Sequence, residues 1–76
     1  MNSSENEPRS IQITLNGLPT SVPEGTRVAD LVHRVLPEAR AYAVEVNRAV
    51  LSRRDHADRS VQNGDIVEIV TLVGGG

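Results

Sequence analysis

The sequence predicts a two-layer α+β domain, a mixed four- to five-stranded sheet packed on one main helix. Three observations predict it. Apolar and polar residues alternate at 11–15 and again at 41–46, the period of a half-buried strand. One stretch alone, near 27–36, carries apolar residues at helical spacing. Asn-Gly pairs at 16–17 and 63–64 mark tight turns between short elements. With 76 residues the chain is at most one domain.

Residues 1–10, MNSSENEPRS, are polar and aperiodic and read as a disordered leader. The ordered domain is expected over 11–73, with a flexible glycine tail at 74–76. Ile11 to Leu15 is the first strand. Asn16-Gly17 turns it back into a second, Leu18 to Val22. Pro19 lacks a ladder donor, which puts that second strand at a sheet edge. Thr26 is the expected helix N-cap. Val28, Leu31, Val32, Val35 and Leu36 then form one apolar stripe, and Pro37 ends the helix because it disfavours a helical conformation at residue 36.

Tyr42, Val44 and Val46 share one face of the next strand, with Ala41, Ala43 and Glu45 on the other. Asn47-Arg48 is a turn and Ala49 to Leu51 a short strand. Residues 52–62 are polar and irregular, with a helical turn expected near Arg54–Ala57. Asn63-Gly64-Asp65 leads into Ile66-Val67-Glu68-Ile69-Val70, which Thr71-Leu72-Val73 continues. This apolar strand is expected to be central, beside the first, and buried on much of both faces.

Composition removes several function classes. There is no Cys, so disulfides, thiol nucleophiles and thiolate metal sites are absent. A net charge of −2 and a single aromatic give neither a basic footprint nor a stacking platform for nucleic acid. No apolar run is long enough to span a bilayer, and the first residues lack a secretory signal pattern. No nucleic-acid or membrane partner is therefore expected, and a cytoplasmic location is. All eight cationic residues are Arg. Without Lys the chain offers no side-chain amine for a Schiff base or an isopeptide bond.

No catalytic constellation emerges. His33 borders the helical stripe and His56 sits in the polar loop; neither has metal-ligand spacing, and both read as surface or rim residues. Arg53-Arg54-Asp55 reads as a solvated charge cluster. No metal and no bound cofactor are expected.

The carboxyl end differs. Gly74-Gly75-Gly76 follows directly on the best strand. An inert frayed end has the same appearance. The chemical reading is that a run without Cβ atoms threads a narrow channel and delivers the α-carboxylate of Gly76. From Thr71 the reach is about 20 Å, enough to enter the active site of a docked partner. A carboxylate is a poor electrophile, but an ATP-using partner can make it an acyl-adenylate. A sulfur nucleophile can then leave a thiocarboxylate, and with no Cys in this chain that sulfur comes from outside it.

The order of elements with a Gly-Gly end is similar to the ubiquitin-like β-grasp fold. More narrowly, Leu15-Asn16-Gly17, Pro23-Glu24-Gly25-Thr26, Val28-Ala29-Asp30-Leu31, Ala43-Val44-Glu45-Val46-Asn47, Arg53, His56, Asn63-Gly64-Asp65, Val67-Glu68-Ile69-Val70 and the terminal glycines resemble the ThiS family of thiamine-biosynthesis sulfur carriers. Ser52 stands where that pattern usually has Pro, and three glycines stand where two are the minimum. The resemblance implies a co-substrate rather than an enzyme. A ThiF-like enzyme would adenylate Gly76 using ATP, a cysteine desulfurase or other donor would supply sulfur, and the thiazole synthase ThiG would receive it. The small subunit of molybdopterin synthase and a ubiquitin-like covalent modifier are the alternatives.

Strand alternation suggests where partners dock. If Glu68 points outward, Ile66 and Val70 do too, while Val67 and Ile69 face the helix. With Leu72 and Val73 at the tail root they would form an apolar partner interface, unless the sheet curls over them.

Overall fold

The computed structural model describes residues 9–38 and 41–71. The expected tail, Gly74, Gly75 and Gly76, and the interface residues Leu72 and Val73 lie outside the described residues, as does most of the leader. The elements run β1 (Ser10–Leu15), β2 (Leu18–Pro23), α1 (Val28–Val35), β3 (Tyr42–Val46), β4 (Ala49–Val50), a 3-10 turn (Arg53–Asp55) and β5 (Ile66–Thr71). They form one five-stranded sheet in the order β2-β1-β5-β3-β4. β5 is central and parallel to β1, with Thr14 opposite Ile66. The other pairings are antiparallel. β2, with Pro19, is an edge as its sequence requires.

Alternation in the strands and the helical stripe meet in one aliphatic core. Ile13, Leu15, Val22, Val44, Val46, Val67 and Ile69 come from the sheet, and Val28, Leu31 and Val32 from α1. Val35, Leu36 and Tyr42 pack around them. Both hairpin turns place two successive residues at positive φ, Asn16 (50°) with Gly17 (83°) and Asn47 (53°) with Arg48 (70°). That geometry matches the twist of the flanking strands.

The start of α1 departs from expectation. The N-cap is Arg27, still extended at φ −101° and bridged to Ser60, and the Thr26 hydroxyl donates instead to the Pro23 carbonyl at 2.6 Å. A guanidinium cannot accept a hydrogen bond. The Asp30 carboxylate supplies half of a capping box by accepting from the Arg27 N–H at 2.9 Å. The N–H groups of Val28 and Ala29 donate to the carbonyls of Arg59 and His56. These are two of the four donors that a helix start leaves unpaired. The polar loop is thus a lid on the helix start, with Val61 buried beneath it. At the other end Leu36 leaves helical geometry at φ −132°, ψ 69°, as the following Pro37 demands.

Candidate partner-docking face and tail root

β5 is not buried on both faces. Val67 and Ile69 are fully inside, whereas Ile66 and Val70 are 42% and 51% exposed and Glu68 is exposed between them. A single helix covers only one side of the sheet, so the apolar character of β5 continues onto an open face. The pairing register fixes its neighbours. Ala43 lies opposite Val70, Glu45 opposite Glu68, and Val50 of β4 opposite Glu45. Val50 is 74% exposed. Of the expected interface, Ile66, Glu68 and Val70 therefore lie together on one solvent-facing patch of β5.

Four polar side chains hold β5 in place. The Asn16 side chain accepts from the Ile69 N–H at 2.7 Å, replacing a β1 residue where that strand has ended. On the other flank the Asn47 carbonyl accepts from Ile66 N–H at 2.9 Å, and its amide donates to Asp65 Oδ1 at 3.0 Å. Asp65 is buried; its second oxygen accepts from the Gln62 N–H at 2.8 Å, with the Arg59 guanidinium 3.9 Å away. At the strand's approach Asn63 accepts from the Gln12 N–H at 2.8 Å. Asn16, Asn47, Asn63 and Asp65 of the resembling motifs thus act on the backbone, and serve the site by fixing the strand that presents it.

The tail root has its own cluster. Thr71 pairs with Tyr42, whose ring lies under the Arg53 guanidinium at 4.6 Å and beside the His56 ring at 5.7 Å. His56 is not a surface or rim residue; it is buried at 5% exposure. Its Nε2 lies 3.1 Å from the Leu51 carbonyl, so Nε2 carries the proton that is donated. The expected turn at 54–57 is the 3-10 turn Arg53–Asp55, one residue earlier, which sets Arg53 over Tyr42. His33 is exposed on α1. Sequence reading missed the His56 burial because the loop's polarity hid its docking on the helix; the lone Val61 was the available signal.

Among the described residues no group of His, Asp and Glu is placed to hold a metal ion. No helix among them is long and apolar enough to cross a membrane. An open depression of about 400 Å³ involves Ile11, Glu24, Ser60 and Asn63 at the start of β1, whereas Thr71 lies beyond the end of that strand. The described geometry therefore offers an open, largely apolar sheet face with two carboxylates, on a central strand whose last described residue is Thr71.

Comparison with known proteins decides the family, since the ThiS family matches residues 7–76. The chain belongs to the ThiS family. A crystal structure of the thiamine biosynthesis protein ThiS from Geobacter metallireducens is similar to it at 33% identity and a TM-score of 0.73, covering 87% of this chain and 100% of that one. No curated protein matches. The fold is accordingly the ubiquitin-like β-grasp, and membership of the ThiS family makes the chain a small sulfur carrier rather than a catalyst.

Proposed function

We propose that the carboxyl terminus of Gly76 is adenylated and converted to a thiocarboxylate that donates sulfur to thiazole formation in thiamine biosynthesis. The observation that carries this reading is a family match that runs through the last glycine, residues 7–76. The thiamine-biosynthesis protein of similar structure favours the thiazole branch over the molybdopterin one.

The chemistry is as follows. A ThiF-like enzyme directs a Gly76 carboxylate oxygen onto the α-phosphorus of ATP, and pyrophosphate leaves. The terminal sulfur of a partner persulfide, formed by a cysteine desulfurase, attacks the acyl carbon and AMP leaves. A thiol then cleaves the resulting acyl disulfide and releases the thiocarboxylate. That sulfur nucleophile passes to the substrate of the thiazole synthase ThiG. This chain supplies the acyl group and a docking face made of Ile66, Glu68 and Val70, continued by Leu72 and Val73. Gly74 and Gly75 carry no Cβ to obstruct entry into the partner's channel.

Incubation with ATP, magnesium, a ThiF-like enzyme, a desulfurase and cysteine should replace one oxygen by sulfur in the intact mass. Deleting Gly75 and Gly76 should abolish the exchange. An unchanged mass for the full chain, alongside a reactive control carrier, would refute the proposal.

A further inference from the structure

The register places Glu45 directly opposite Glu68 on the outer face of the sheet. Directly opposed residues have Cβ atoms roughly 4.5–5.5 Å apart, and like charges there destabilise the pairing. Both side chains are exposed, and neither has an ion-pair partner among the described residues. Val50 flanks Glu45, and Ile66 and Val70 flank Glu68, all of them exposed. The free molecule therefore sets two like charges opposite one another among the exposed apolar side chains Val50, Ile66 and Val70.

We propose that Glu45 and Glu68 together form the specificity-determining contact of this face, and that they clasp one cationic side chain of the activating enzyme, with arginine the best fit. The proposal rests on the docking reading given above. A planar guanidinium has enough donors, in a fixed fork, to bridge two carboxylates. An apolar rim around it excludes water and strengthens the contact. Charge also decides against a second copy of this chain. Self-pairing would bring four carboxylates together with no cation between them. The same pair that welcomes a cationic partner thus keeps an exposed apolar sheet from associating with itself.

The test titrates the full chain into a ThiF-like enzyme at several salt concentrations and follows the thermal midpoint of the free chain. Glu45→Gln and Glu68→Gln should each weaken binding by about 3- to 30-fold. The double variant should lose little more than either single one, since one cation serves both, and the salt dependence of binding should flatten. The free variants should melt about 1–5 °C higher, because the repulsion is gone. Weakened binding with a lower midpoint would overturn the proposal by making the carboxylates structural. Wild-type affinity and salt slope in the Gln variants, with Ile66→Ser and Val70→Ser weakened, would remove the clasp and leave the docking face standing. Normal binding by all four single variants would remove both. A wild-type dimer disrupted by Ile66→Ser would assign the face to a second copy, and equally overturn the proposal.

Discussion

Asp65 shows how one side chain can govern a strand it does not belong to. Its two oxygens hold Asn47 and the Gln62 backbone from opposite sides, immediately before β5. Asp65→Ala leaves those part-buried donors without their acceptors, and should cost about 1–3 kcal/mol in urea unfolding. Arg48 is the converse case, a long side chain in the left-handed region at φ 70°. Arg48→Gly removes that backbone penalty and should stabilise the protein by about 0.5–1 kcal/mol in the same measurement. His56 draws its importance from position. Its ring fills the space between Leu51 and Tyr42, while its carbonyl receives a helix N–H.

Among the elements, α1 is too short to stand alone, at eight residues. It is held by its apolar stripe, by Asp30, and by carbonyls borrowed from the 56–61 loop. Asp30→Ala should lower stability by about 0.5–1 kcal/mol in thermal melts, the usual size of a lost cap. β5 shows the opposite economy, since its outward-facing side chains, Ile66, Glu68 and Val70, lie outside the core. Ile66→Ser and Val70→Ser should shift the melting temperature by less than about 3 °C, since surface changes stay within about 0.5 kcal/mol. Elements with a clear period were legible from sequence: β1, α1, β3 and β5 are found where alternation or helical spacing put them. The Thr26 cap was not legible, because a threonine before an apolar stripe looks the same whether its hydroxyl caps the helix or closes the preceding turn. The two-sided burial of β5 was misread for a similar reason. An apolar run does not say whether a second layer exists to cover it.

At the scale of the molecule, the described core and the proposed chemistry lie apart in the sequence. The described core ends at Ile69, and the expected reactive group lies seven residues later. Removing Gly75 and Gly76 should leave the thermal midpoint within about 2 °C of the parent, because the described core residues all lie at or before Ile69. It should also end sulfur loading, read by intact mass after incubation with the activating enzyme. Which face would meet a partner was legible only as a conditional, because alternation pairs Ile66, Glu68 and Val70 without saying which side is open. The opposed carboxylates could not be read at all, since register between β3 and β5 is a property of the closed sheet.

The sheet order has a further consequence for biosynthesis. β1 and β5, the first and last strands among the described residues, are hydrogen-bonded neighbours, with β5 at the middle of the sheet. A nascent chain emerging from the ribosome can make the first hairpin and the helix, yet its sheet stays split until β5 arrives. Products that end before β5 would lack the central strand and leave the sheet in two parts. A product that ends before residue 66 therefore also lacks the strand that carries Ile66, Glu68 and Val70.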